Sequence, residues 1–240
     1  MSRKFKIVLA VEIVVALVVA LGLIASRNSQ PAASPQATPS ARPTQQGSLV
    51  ENCNGIISPR QIAQTWGTPP ELNFEDKRKF WSIQTNCGRV VVEVFRDEAP
   101  VTANSLRFLT DQNYFDASPC HRLTTSGFFV IQCGDPQGNG RGGAGYKIAE
   151  ENLPANGSVN YPAGTVAMAN AGQPTTTGSQ FFFVYQDTTL APSYTVVGKV
   201  VEGLDIIAKV AAAGTLGDVR DGIPKQSFGI LSAEFLSQKP

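Results

Sequence analysis

Between Cys120 and Gln180 the chain alternates short apolar runs with glycine-rich connections, and this pattern leaves few folds open. The stretch opens with Cys120-His121-Arg122-Leu123 and continues through Phe129-Val130-Ile131-Gln132-Cys133-Gly134-Asp135-Pro136. It closes with Met168-Ala169-Asn170-Ala171-Gly172 and Gly178-Ser179-Gln180-Phe181-Phe182-Phe183. Runs this short, rich in β-branched and aromatic residues and bounded by glycine, read as strands. An arginine, several amides and large apolar side chains recur among them. A shallow apolar pocket with a few oriented polar groups needs that mixture.

The flanks agree. Phe80–Thr85 and Val90–Phe95 read as two strands joined by a hairpin turn over Asn86-Cys87-Gly88-Arg89. Asp97-Glu98-Ala99-Pro100 begins a helix that runs through Leu109, with Val101, Ser105, Leu106 and Leu109 at roughly helical spacing. A last helix runs from Gly203 to Ala213 and stops at Gly214, before a closing strand around Phe228 to Phe235. Two helices among many short strands predict a mainly β fold, a closed antiparallel barrel capped by helices, over residues 79–237. Upstream, in the extension 53–78, Ser58-Pro59 and the run to Trp66 predict one short helix.

The N-terminal third has a different character. Ile7 to Ile24 is apolar apart from Glu12 and Gly22, behind the basic tail (residues 1–6) with Arg3, Lys4 and Lys6. Eighteen helical residues reach about 27 Å, close to the roughly 30 Å hydrocarbon thickness of a bilayer. The basic flank stays cytoplasmic under the positive-inside rule, so residues beyond 25 are expected outside. The run exceeds a usual signal-peptide core and lacks an A-x-A cleavage pattern. Residues 7–25 are therefore expected to be an uncleaved signal anchor, with cleavage the competing outcome. Pro31, Pro35, Pro39 and Pro43 among Ala, Ser, Thr and Gln make 26–52 an extended tether.

Charge and composition exclude several activities. The first 25 residues carry a net +2, leaving 17 basic and 18 acidic side chains beyond them. That balance lacks the basic surface of a nucleic-acid binder. The one histidine, His121, has Cys120 on the opposite strand face and no GxSxG elbow accompanies it, so nucleophilic hydrolysis is not expected. The four cysteines show no C-x₂₋₄-C pairing for zinc. Gly138-Asn139-Gly140-Arg141-Gly142-Gly143 matches G-x-G-x-x-G but opens no helix, so it reads as a compact loop and not a phosphate cradle. In an exported domain the cysteines invite disulfides. Cys120 and Cys133, on neighbouring runs, are paired first, which leaves Cys53 with Cys87. Three pairings and free thiols all stay open.

His121-Arg122, the segment Phe129 to Asp135, Met168 to Gly172 and Gly178 to Phe183 together resemble the cyclophilin family of peptidyl-prolyl cis–trans isomerases. The resemblance covers residues 79–237 and implies an eight-stranded barrel with a helix at each end. It implies that Arg122, Gln132 and Phe129 are catalytic. It also implies that Val130, Gly140, Ala169, Asn170, Ala171, Gln180, Phe182, Leu190 and Tyr194 line the substrate groove. Phe129, Val130, Phe182 and Leu190 would clasp a proline ring, while Gln132 and the backbone of Asn170 would hold flanking peptide groups. No cofactor or metal is implied.

The chain departs from the common pattern in several places. Thr189 stands where many members carry tryptophan, Tyr194 where they carry histidine, and Val130 where they carry methionine. The loop Leu123 to Phe128 is about two residues longer than the common one. The expectation is a single-pass, membrane-anchored isomerase and folding helper outside the cytoplasmic membrane, monomeric in its catalytic domain. Its partners would be proline-containing unfolded or exported polypeptides, with no nucleic acid. A cyclophilin-shaped peptide-binding or holdase module is the alternative.

Overall fold

In the computed structural model, which describes residues 52–240, the alternation at the start of the folded part forms a hairpin. β1 (Phe80–Thr85) pairs antiparallel with β2 (Gly88–Val94), from Phe80↔Glu93 to Thr85↔Gly88. The turn is tighter than the four residues expected, because Asn86-Cys87 alone complete it. The Cys87 N–H donates to Thr85 Oγ1 at 3.1 Å, and Gly88 takes a φ of 127° that a side chain would oppose. The inward residues Trp81 and Ile83 are fully buried. The Trp81 ring lies 4.8 Å from Phe181, 5.3 Å from Phe115 and 6.0 Å from Phe235, which makes it the centre of the main core.

α1 (Pro100–Asp111) starts where proline fits, since the first helical N–H groups lack intrahelical partners. Ala99 supplies no side-chain cap. Instead the Glu151 carboxylate accepts from the N–H groups of Val101 and Thr102, at 3.1 and 2.8 Å, and an anion there suits the helix dipole. Leu106 and Leu109 point into the core. α2 (Leu204–Ala212) follows Gly203, whose φ is 84° and where any Cβ would collide with the Arg89 carbonyl oxygen. Ile207 and Val210 seal the core from that side.

The remaining strands are β3 (Ser118–Pro119), β4 (Arg122–Thr124), β5 (Val130–Cys133), β6 (Thr165–Met168), β7 (Phe181–Val184), β8 (Val196–Glu202), β9 (Asp221–Gly222) and β10 (Gly229–Leu236). They form a single curled sheet in the order β3-β10-β1-β2-β8-β6-β7-β5-β4-β9. The fold is mainly β with two helices, as expected, but with ten strands instead of eight. The extra two, β3 and β9, are two residues long and exist through their pairing with β10 and β4. One continuous segment, Ser118 to Thr124, pairs with β10 at its start and with β5 at its end.

The helix expected near Ser58–Trp66 does not form. Tertiary partners take its backbone instead: the Arg60 N–H donates to Pro136 O at 2.8 Å and the Trp66 N–H to Ala144 O at 2.8 Å. The Trp66 ring packs edge-on against Phe108 at 5.2 Å, and Cys53–Cys87 ties this segment to the hairpin turn. The second disulfide joins Cys120 to Cys133. The basic tail, the run expected to span a membrane and the expected tether, up to residue 51, lie outside the described residues. Among the described residues, no helix is long and apolar enough to cross a membrane.

Candidate active site

The site follows from strand alternation in β5 and β7. Ile131, Cys133, Phe181 and Phe183 point inward and join the main core. Their neighbours Val130, Phe182 and Val184 point outward and form a second apolar cluster with Tyr161 and Ala167. Phe128, Ala169, Leu190 and Tyr194 pack against that cluster while remaining partly exposed. The Phe182 ring meets Tyr194 edge-on at 5.6 Å, and Tyr161 meets Tyr194 at 6.2 Å. The outer face is thus an apolar bowl, where a half-solvated sheet would normally be polar.

Register supplies the polar side of the bowl. Arg122 of β4 stands opposite Gln132 of β5, Gln132 opposite Phe182 of β7, and Phe182 opposite Ala167 of β6. One row across four strands therefore carries the arginine, the glutamine and the phenylalanine. Arg122 Nη1 donates to Gln132 Oε1 at 3.1 Å, and Gln132 Nε2 donates to Gln180 Oε1 at 2.7 Å. Gln180 Nε2 then donates to the carbonyls of Gly140 and Gly142 at 3.0 and 2.9 Å. The glycine loop is itself held from below. The fully buried Asp135 carboxylate accepts the N–H groups of Gln137, Asn139, Gly140 and Gly142 at 2.8–3.2 Å. The G-x-G-x-x-G match is a loop wrapped on a carboxylate.

On the other side of Arg122 lies Asp221. Its two oxygens accept Nε and Nη2, each at 2.7 Å. This hydrogen bond raises the Arg122 pKa and, reciprocally, holds the Asp221 carboxyl below its usual range. The Phe128 ring lies over the guanidinium at 5.6 Å. Burial lowers the pKa of His121, and both its ring nitrogens are buried without a hydrogen-bond partner.

Of the residues singled out from sequence, Arg122, Gln132, Gln180 and Gly140 fall into one hydrogen-bonded chain. Val130, Phe182, Leu190, Tyr194 and Ala169 fall into the bowl beside it. Asn170 and Ala171 sit in the loop after β6. There the Asn170 side chain is occupied, donating to Ser193 O at 2.7 Å and accepting from Gly172 N–H at 3.0 Å. The Ala171 N–H donates to Thr176 Oγ1 at 3.0 Å. Gln132, Gly140, Ala169, Asn170, Ala171 and Gln180 line an adjoining pocket of about 260 Å³. Phe129 is the exception. Its ring packs on Tyr185 at 5.9 Å, and the preceding Phe128 is the one over Arg122, because adjacent residues face opposite ways.

Three contributors were not legible beforehand. Asp221 is 99 residues from Arg122. Tyr161 is fully buried beneath the bowl, where its hydroxyl donates to the Tyr194 carbonyl and accepts the Tyr194 N–H, both at 3.1 Å. Asn160 clamps Leu190 through both its amide atoms, at 2.7 and 3.0 Å.

Residues 80–235 match the family model described as cyclophilin type peptidyl-prolyl cis-trans isomerase/CLD. A Mycobacterium tuberculosis protein named "Probable peptidyl-prolyl cis-trans isomerase B" is 46% identical over 162 residues, which cover 63% of this chain and 52% of that protein. The chain thus spans about half the length of that relative. The "Peptidyl-prolyl cis-trans isomerase-like 1" of Rhizopus delemar is 34% identical over 161 residues, 65% of this chain and 94% of that protein. Among solved structures, a Cryptosporidium parvum cyclophilin type peptidyl-prolyl cis-trans isomerase in the presence of the dipeptide Ala-Pro aligns with a TM-score of 0.56. It is 26% identical, over 66% of this chain and 99% of that one.

Proposed function

The chain belongs to the cyclophilin-type peptidyl-prolyl cis-trans isomerase family, and on that premise we propose that it accelerates rotation about X–Pro bonds. The substrates are exposed proline segments of unfolded or exported polypeptides. The observation that carries this reading is the Arg122–Gln132–Phe182 row, which sets a fixed cation and an amide beside an apolar bowl.

The chemistry follows from the amide. Rotation meets a barrier of roughly 18–20 kcal/mol because resonance is lost halfway. In the twisted state the prolyl nitrogen regains a lone pair. A guanidinium N–H that donates to it stabilises that state more than either planar isomer. Arginine suits the task because it stays charged and presents a rigid fork. Val130, Phe182, Leu190 and Tyr194 hold the ring, and Gln132 holds a flanking peptide group. No covalent bond forms or breaks.

The eight longer strands are read as a barrel closed through Ser118–Thr124, with a monomeric catalytic domain. The domain is assigned to the outer side of the cytoplasmic membrane, anchored through residues 7–25. Support comes from the Ile7–Ile24 run and from two disulfides, which persist in oxidising compartments.

The test separates turnover from binding. In the full-length chain, Arg122→Ala lowers isomerisation of an X–Pro peptide by roughly 10²-fold or more, the scale of losing one transition-state donor. Peptide affinity stays within a few fold. If turnover is unchanged, or if only affinity tracks the chain's protection of unfolded clients, the holdase reading replaces this one.

A further inference from the structure

Arg122 has five N–H donors. Three are already committed: Nε and one hydrogen of Nη2 to Asp221, and one hydrogen of Nη1 to Gln132. The two left for a client peptide are therefore one on each terminal nitrogen. The Asp221 carboxylate fills the Nε–Nη2 edge of the fork and so decides which way the free donors face. A terminal guanidinium on a four-bond stem would otherwise sample several rotamers.

The carboxylate is itself placed by the backbone. Asp221 lies in β9, paired with Thr124 of the very strand that carries Arg122, two residues away on the same face. The Thr125 N–H donates to Arg220 O at 2.8 Å. The loop bearing Asp221 is closed by the Thr215↔Pro224 bridge and by the Leu216 N–H donating to Ile223 O at 2.8 Å. At 38% and 51% side-chain exposure the pair contributes little to stability, as surface ion pairs do. Both guanidinium contacts are nonetheless 2.7 Å and bidentate, a geometry that fixes orientation as well as charge.

We propose that Asp221 is a positioning residue for the isomerisation: it acts through Arg122, holding the guanidinium so that its two free donors meet the twisted prolyl amide. It forms with Gln132 a two-sided clamp, carboxylate on one flank and amide on the other. The proposal rests on the isomerase reading.

The experiment uses the full-length chain and four variants: Asp221→Asn, Asp221→Ala, Arg122→Ala, and Arg122→Ala with Asp221→Ala. Turnover of a short X–Pro peptide is read by exchange NMR, affinity by titration, and folding by the thermal midpoint. Asp221→Ala lowers turnover roughly tenfold, as expected of a small misplacement of a catalytic group, with affinity within about twofold and an unchanged midpoint. Asp221→Asn keeps the shape and one acceptor oxygen, so it loses less, about threefold. In the Arg122→Ala background, Asp221→Ala causes no further loss, since Asp221 has nothing left to position.

Active wild type with full activity in both Asp221 variants overturns the proposal. The same fractional loss in both backgrounds overturns it as well, and assigns Asp221 a merely structural role. A folded wild type without activity sinks the isomerase reading, and this proposal with it.

Discussion

Both faces of β5 and β7 carry buried apolar side chains, yet they do different things. Inward, Ile131, Phe181 and Phe183 meet Trp81, Phe115 and Phe235 in a core with no exposed atom of consequence. Outward, Val130 and Phe182 meet Tyr161, Leu190 and Tyr194, and the last two remain partly exposed. The inner face packs against other strands of the curled sheet and against both helices. The outer face is covered by two irregular stretches, around 152–162 and 186–195, held by Asn160 and Tyr161. Closure makes a core, and incomplete closure beside a fixed cation makes a site. The same residue type, phenylalanine at three successive positions, serves both ends.

That contrast can be broken residue by residue. Phe181→Ala opens a cavity in the enclosed face and should cost about 3–5 kcal/mol of unfolding free energy, read from denaturant midpoints. Phe182→Ala, one position along, should cost less, about 1–3 kcal/mol, because the partly exposed Leu190 and Tyr194 beside it can close over the gap. Its signature is kinetic instead: peptide affinity and turnover fall together by at least about tenfold, since a well-packed aromatic anchor is lost. If the two variants behave alike in both assays, the division between the faces is wrong.

The disulfides sharpen the comparison next. Cys120–Cys133 joins segments on either side of the Arg122–Gln132 pair and closes a separation of 13 residues. Replacing both cysteines by alanine should lower stability by about 3 kcal/mol in the loop-entropy account. Removing Cys53–Cys87, with a separation of 34, should cost somewhat more, about 3.7 kcal/mol. Thermal midpoints of the two double variants check the order.

Tyr161→Phe deletes only the hydroxyl, which holds the backbone of Tyr194 and reaches the Ala191 carbonyl at 3.3 Å. About 1–2 kcal/mol of stability should go with it, along with a severalfold loss of peptide affinity. The smallest effect expected is that of pH. His121 is buried, so its folded-state pKa lies below the ordinary value of 6.5. The unfolded chain therefore binds the proton first, and stability falls as pH drops below about 6.5 until the lowered native value is reached. The slope contributed by one group is at most about 1.4 kcal/mol per pH unit. His121→Asn should flatten the urea midpoint between pH 6.5 and 5, and an unflattened profile would assign that slope to other groups.

How much of this was legible depends on how local the cause is. The β1–β2 hairpin and both helices follow from periodicity, Pro100 and Gly203, signals carried within a few residues. The Ser58–Trp66 segment misled because its partners, Pro136 and Ala144, are far along the chain and outbid a weak helical tendency. β3 and β9 are invisible for the same reason: two residues become a strand when a neighbour pairs with them. Arg122 and Gln132 stood out through the resemblance, whereas Asp221 and Tyr161 are ordinary residues until the sheet brings them in. That the Phe129 ring lies on Tyr185 while Phe128 lies over the Arg122 guanidinium depends on local register, where a shift of one residue turns a side chain to the other face.

The most direct measurement is two-dimensional exchange NMR of a short Ala-Pro peptide with catalytic amounts of the full-length wild-type chain. Uncatalysed isomerisation takes tens to hundreds of seconds, so cross-peaks between the cis and trans signals appear on the sub-second scale only under catalysis. The account predicts those cross-peaks, and predicts their loss when Arg122 becomes alanine. Their absence with a folded wild-type chain that still binds the peptide would contradict it.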